Sequence, residues 1–496
     1  NEHRKMSLAI HVVILSGRSS VVQSTPEESV RDVLQKAQEE LQLPLCALVT
    51  REGRRLPLHQ SLSALEMEDG AELTAIARQT LVVSHWGQLL QEGELWRARG
   101  SNRLLFGVEG FVTHHADGSL QTWGGKFQAV PATCRPLLRD VVEVRANLEG
   151  FTALLSDGRV VFWDKNHPTE GCGCVRHPAP SGPEVRARQV CSAQHAFAVI
   201  LLDGRVVAWG RRDKGGECGH LVDQLVNVRE LVGGIASFAA LREDGSVVTW
   251  GEVPCNKDEA AQLQSVHHVV AGYAAFVALR GDGSVVTWGE PTAGGDSSSC
   301  QSQLVRVQEV KATTHAFAAR CGDGSVVAWG GAEEGGDASK VQAQLTGVRQ
   351  LFASQEAFAA LKEDGTVVSW GDCGTVPELT DVCTITPCCN AFAALRADGT
   401  VVTWGAQGNT TPPGLRNVTE VRASSEAFAA LLADGTVRAW GDPGKGGDCS
   451  SVQADLFDVI SIFGSAFSFA AVRADGTVIT WGLVIHYGST APCKAQ

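Results

Sequence analysis

An Asp-Gly pair recurs ten times along the chain in one fixed context, and this recurrence limits the fold more than any other feature. The aspartates are Asp117, Asp157, Asp203, Asp244, Asp282, Asp323, Asp364, Asp398, Asp434 and Asp475, spaced by 40, 46, 41, 38, 41, 41, 34, 36 and 41 residues. A Phe stands six residues before each Asp and a Trp six residues after it, from Phe111 and Trp123 to Phe469 and Trp481. Val or Leu stands three residues after every Asp. Gly follows the Trp in nine units, Asp164 being the exception. The 12 Trp against 2 Tyr reflect this repeat. A period near 40 marks stacked or radial units, each too small to bury its own apolar faces.

Each unit reads as a β-hairpin. In AFAALKEDGTVVSWG (357–371), a three-residue loop Glu363-Asp364-Gly365 puts Gly365 in the left-handed conformation of a bulged turn. Phe358 then faces Trp370, and Leu361 faces Val367. The two pairs lie on opposite faces, because side chains alternate along a strand. Both faces are therefore apolar and need a neighbour each. Ala357, Ala359 and Ala360 let that neighbour approach closely. The unit 391–405 repeats the pattern with Phe392, Asp398, Gly399 and Trp404. A two-residue loop is the alternative and would offset Phe from Trp. A third strand precedes each hairpin, as at 228–234, 348–354 and 418–424. Radial stacking into a β-propeller buries both faces and leaves short edges. An open solenoid is the competing architecture.

These units resemble RCC1-type repeats in their compact form, over roughly residues 100–482. The resemblance implies a mainly β, RCC1-like β-propeller built of ten three-stranded units. Repeats of that family usually carry a Gly-Gln-Leu-Gly-like segment after Trp-Gly, absent here, and their ring usually has seven blades. A ten-bladed ring, an open spiral, and seven blades with an extension all stay open. The repeat domain is assigned to 100–496. Residues 79–99 form a linker in which LVVSHWG (81–87) reads as a strand able to pair with the last unit and close a ring.

Residues 7–78 read differently. An apolar strand at 7–17 and a return strand at 19–24 precede a helix. Thr25 caps that helix, Pro26 takes its first position, and Glu27 and Glu28 its first turn. Val30, Val33, Leu34, Ala37 and Leu41 share one face. Leu45–Val49 and Leu56–Leu58 bracket a second hairpin, and Glu72–Ala77 forms a last strand. This order resembles a small α+β ubiquitin-like β-grasp domain. The domain runs into residue 81 with no free Gly-Gly tail. Thr50 stands where ubiquitin's recognition patch carries an aliphatic residue.

Chemistry-bearing motifs are few. His167, Cys172, Cys174 and His177 could ligate zinc, although Cys-x-Cys is tighter than the usual spacing; a reduced surface loop is the competing reading. Vicinal Cys388-Cys389 reads as a pair of small buried hydrophobes in the strand before a hairpin. Four units carry Gly-Gly-acid after the Trp, ending in Glu217, Asp296, Asp337 and Asp448. Gathered on one rim, these carboxylates would bind a cation or a basic partner. Otherwise each acid caps a turn. No phosphate-binding Gly-Lys-Ser/Thr, nucleophile elbow or His-Glu-x-x-His is present. The Asp-Gly aspartates read as turn residues, so no catalytic residue and no cofactor is expected.

The formal net charge is −13, with no basic stripe or tail, which disfavours binding to nucleic acid phosphates. No apolar run reaches the ~20 residues of a membrane span, so only peripheral attachment to a membrane complex fits. An odd count of 15 Cys in a large chain favours reduced thiols. That places the chain in the cytoplasm or nucleus. Because it begins at Asn1, an organelle such as a plastid is the alternative. The expected function is a non-enzymatic protein–protein interaction scaffold, a peripheral subunit or adaptor of a larger assembly. By resemblance, a guanine-nucleotide exchange factor-like regulator of a small GTPase is the first alternative. A substrate-recruiting component of a ubiquitin pathway is the second.

Overall fold

The computed structural model describes residues 8–14, 19–28, 30–41, 45–49, 56, 62, 63, 65, 67, 69–77, 80–83, 111–114, 120–123, 134–138, 141–147, 149–164, 186–405, 411–474 and 477–482. Near the start of the chain, β1 (Leu8–Ile14), β2 (Ser19–Ser24), β3 (Leu45–Val49) and β4 (Glu72–Ala77) form a sheet of order β2-β1-β4-β3. β1 runs antiparallel to β2 and parallel to β4. Helix α1 (Val30–Leu41) buries Val30, Val33 and Ala37 among Ile10, Val12, Val22, Leu48, Leu62 and Leu73. The helix starts later than the Thr25 cap suggests. The Glu28 N–H closes a turn onto the Thr25 carbonyl at 3.0 Å. The Pro26 and Glu28 carbonyls are taken by the N–H groups of Ser63 and Leu62, so tertiary bonds hold this segment out of the helix. Of the expected second hairpin, the described part is Leu56, whose N–H donates to the Leu48 carbonyl at 2.9 Å.

The repeat region forms ten separate three-stranded antiparallel sheets, one per Asp-Gly unit. Numbered along the chain, unit 7 comprises Val348–Ala353, Ala357–Lys362 and Val367–Gly371. The three-residue loop is the one adopted. Phe358 pairs with Trp370, and Leu361 pairs with Val367. The same Phe–Trp pairing holds in all ten units. In the nine units from Phe151–Trp163 onward the rings stack, with centroids 5.1–5.6 Å apart and planes within 26°. Such pairs add about 0.5–1.5 kcal/mol beyond the area they bury.

The core lies between units rather than within them. On one face of unit 7, Phe358, Ala360 and Trp370 pack with Ala316, Ala318 and Val326 of unit 6. On the other, Ala357, Ala359 and Leu361 pack with Phe392, Ala394 and Trp404 of unit 8. Only small residues alternate with the large ones, so neighbouring sheets approach closely.

Two details differ from the sequence reading. Thr80–Val83 pairs with Phe111–His114 and is the first strand of unit 1. In the structure it belongs to the sheet of unit 1 rather than to that of unit 10. Cys388 and Cys389 lie just after the strand Val382–Pro387, in the turn that leads to the hairpin. The first strands also carry a feature not foreseen. Units 2–10 each show a register shift after the first residue, as between Val348 and Gln350. One residue there is passed over by the ladder, as in a β-bulge.

Trp370 is 4% exposed and stacked on a fully buried Phe358. Trp370→Ala is expected to cost about 3–5 kcal/mol in chemical denaturation. A loss under about 1 kcal/mol would contradict a unit buried on both faces.

Candidate functional site

In the eight described hairpins, the Asp Oδ1 accepts the backbone N–H two residues on, at 2.9–3.0 Å. Asp364 also accepts the Thr366 hydroxyl at 2.6 Å, and Asp398 the Thr400 hydroxyl at 2.6 Å. These donors hold both carboxyls below the ordinary Asp range, hydroxyl first and N–H second. The Asp is a turn brace, and the following Gly supplies the positive φ, 78° at Gly365 and 77° at Gly399. The turn also reaches the next unit. The Val382 N–H donates to the Gly365 carbonyl, and the Val418 N–H to the Gly399 carbonyl, each at 3.0 Å.

The Gly-Gly-acid segments turn out to be joints. Gly215, Gly294, Gly335 and Gly446 adopt φ of 86–94°. Their carbonyls accept the indole N–H of Trp250, Trp329, Trp370 and Trp481 at 2.9–3.0 Å. Each Trp belongs to the following unit, 35 residues on. A side chain at Gly335 would also strike the Phe358 ring, a Cβ there lying 2.7 Å from it. Where the motif is missing, the bond changes. Trp404 donates instead to the Ser369 hydroxyl at 3.1 Å, again 35 residues back. Trp288 follows a unit with a short helix, Lys257–Gln262, in place of the motif; its buried Nε1 has no partner among the described residues. A neutral hydrogen bond of this kind contributes about 0.5–1.5 kcal/mol net.

The four acids are exposed, and three serve as turn caps. Asp296, Asp337 and Asp448 accept the N–H of Ser298, Ser339 and Ser450 at 2.8–2.9 Å. Those N–H groups lead the causes that lower all three carboxyls. Glu217 instead pairs with Arg212 at 2.7 Å. The structure therefore spreads the acids one to a joint, each with its own local partner. His167, Cys172, Cys174 and His177 lie outside the described residues. Among the described residues, Cys191, Cys218, Cys255, Cys300, Cys321, Cys373, Cys383, Cys388 and Cys449 are free thiols, and no group of three or more His, Cys, Asp or Glu could hold a metal ion. Burial pushes the Cys191 and Cys388 thiols up to about 12, so neither is a ready nucleophile.

The turn between first and second strands forms a second chain of joints. The N–H of Thr314, Gln355, Cys389 and Ser425 donates to the carbonyl of Gln355, Cys389, Ser425 and Ala466 in the next unit, at 2.7–3.1 Å. Side chains at these equivalent positions differ from unit to unit, while the backbone bonds repeat. The sequence reading missed both sets of joints. The constant 35-residue step from Gly to the next Trp was the available signal for the first set.

No family model matches the chain, and no curated protein matches it. Solved structures do resemble it. Yeast RCC1 (Prp20), in a crystal structure bound to Kap60, is similar at 14% identity over 68% of this chain and 81% of that one, with a TM-score of 0.30. Human WBSCR16 is similar at 16% identity over 45% of this chain and 74% of its own, with a TM-score of 0.29. A de novo designed protein based on ubiquitin is similar at 22% identity over 15% of this chain and 92% of its own, with a TM-score of 0.14.

Two outcomes follow from the joints. Gly335→Ala forces a Cβ into the Phe358 ring at a positive φ, and should cost about 1–3 kcal/mol by denaturant unfolding. An unchanged midpoint would remove Gly-Gly from the joint. The hairpin aspartates have carboxyls lowered by folding, so their stabilisation is present above the ordinary Asp pKa. It should drain away as pH falls from about 5 through the lowered folded-state values. Acid titration of the unfolding midpoint checks this, and Asp364→Asn with Asp398→Asn should flatten the acid limb. A midpoint that rises on acidification would refute it.

Proposed function

We propose that this protein is a non-enzymatic protein–protein interaction scaffold, acting as a subunit or adaptor of a larger assembly. One observation carries this reading: the recurring polar groups are spent on joints between units, while other positions, half-buried in the turns and exposed at the strand irregularities, vary from unit to unit on a uniform frame. Ile235, Tyr273, Gln355, Cys389 and Ser425 occupy equivalent turn sites in different units. A repeated frame with varied surface residues presents an extended recognition face, and function then resides in those residues rather than in the fold.

The ten units are proposed to close into a propeller-like ring. The nearness of the first strand of unit 10, Val459–Gly464, to that of unit 1, Thr80–Val83, supports closure. The N-terminal domain, residues 7–78, is read as a ubiquitin-like docking module ahead of a repeat region whose first strand is Thr80–Val83. Its sheet order, with β1 parallel to β4, supports that reading. Unpaired cysteines favour a reducing compartment. No helix among the described residues is long and apolar enough to cross a membrane.

Native affinity purification with mass spectrometry and sizing tests the scaffold reading. A stoichiometric complex, lost on deletion of the repeat region, is expected. A monomer that accelerates nucleotide release from a small GTPase would replace the scaffold with an exchange factor. A monomer that co-purifies with nothing would also overturn it.

A further inference from the structure

The bulge in each first strand passes over one residue, and a bulge re-aims the side chain it carries. In units 3–9 these residues are Arg188, Arg229, His267, Gln308, Arg349, Cys383 and Thr419, and all seven are exposed. None is acidic, although Asp and Glu outnumber Lys and Arg by 55 to 42 in the chain. Units 3, 4, 5 and 7 each supply one basic group, Arg188, Arg229, His267 and Arg349. In unit 6, Arg320 Nη1 donates to the Gln308 amide oxygen at 2.7 Å, and the same guanidinium is paired with Glu309 at 3.3 Å.

The row is continuous where its bonds show it. Arg188 Nη2 donates to the carbonyl of Val228, the neighbour of Arg229, at 2.5 Å. Arg229 Nη2 donates to the His267 carbonyl at 2.8 Å, and Arg349 Nη2 to the Cys383 carbonyl at 2.9 Å. Each arginine thus anchors one nitrogen on the next unit and keeps the rest of its five donors. That anchoring fixes the planar fork, the geometry suited to carboxylates. Acids of the same units have partners or positions within the frame. Glu230 is buried, Glu309 pairs with Arg320 and Lys311, and the hairpin aspartates brace their own turns.

We propose that this row, led by the exposed guanidinium groups of Arg188, Arg229 and Arg349, docks an acidic, extended segment of a partner protein. The inference rests on the scaffold reading and names its partner class. The probe is a fluorescein-labelled ten-residue polyglutamate peptide, read by anisotropy with the full chain. Saturable binding that weakens with added salt is expected. The triple variant Arg188→Gln, Arg229→Gln, Arg349→Gln should bind about tenfold or more weaker, and Arg416→Gln, outside the row, should bind as the wild type does. Should the triple variant fail to fold, Arg229→Gln alone should still lower affinity, with its melting temperature as the check on folding. No saturable binding by the wild type, or equal affinity in the triple and single variants, would overturn the proposal. Tighter binding of a ten-nucleotide single-stranded DNA than of polyglutamate at the same salt would also overturn it. Failure here beside an intact co-purified complex would leave the scaffold standing and remove only this docking site.

Discussion

The stacked Phe–Trp pair is the contact on which the repeat region depends. It lies across the second and third strands of each unit from the second to the tenth, and the next layer of packing is laid against it. Because its partner face carries the Ala, Leu and Val residues of the same hairpin, neither face can be left to water. A single unit is therefore unstable alone, and the sequence of ten becomes one stack whose cores sit at the boundaries. Stability in such an array is a sum of unit and boundary terms.

The boundaries are held in three places. Near the hairpin tips, the glycine carbonyl of one unit accepts from the first strand of the next. At the opposite turns, backbone N–H groups reach forward one unit. Around the middle, a Gly-Gly loop cradles the next Phe ring and accepts from its Trp. The third set is not uniform. Trp370 has a glycine carbonyl, Trp404 a serine hydroxyl, and Trp288 no partner among the described residues. The boundary between units 4 and 5 therefore lacks a bond that its neighbours have, and it relies on packing among Leu263, Phe276 and Trp288.

The motif residues are committed to the frame itself. An Asp that braces its own turn, or caps the loop after Gly-Gly, has its oxygens committed locally and is held ionised by its donors. What remains for recognition is set by residues that the frame does not need. The bulge positions are the best example. The ladder passes over them, so Arg, His, Gln, Cys and Thr are all accommodated, and their chemistry can vary along the stack.

Much of this was written in the chain itself. The 12-residue step from Phe to Trp and the Asp-Gly turn between them narrowed the hairpin register to two loop lengths, and the packed structure takes the three-residue loop that sets Phe opposite Trp. The strand–strand–helix order of the first 78 residues was equally legible, because period and turn signals act over short separations. Tertiary structure decided the rest. The start of α1 moved past Thr25 because Leu62 and Ser63 claim the carbonyls before it. Thr80–Val83 pairs with Phe111–His114, some thirty residues on, in the sheet of unit 1. Gly335 became a joint only once unit 7 was stacked against unit 6. The reason is common to all three: these choices depend on bonds between segments far apart in sequence, whose geometry exists only after the units have packed.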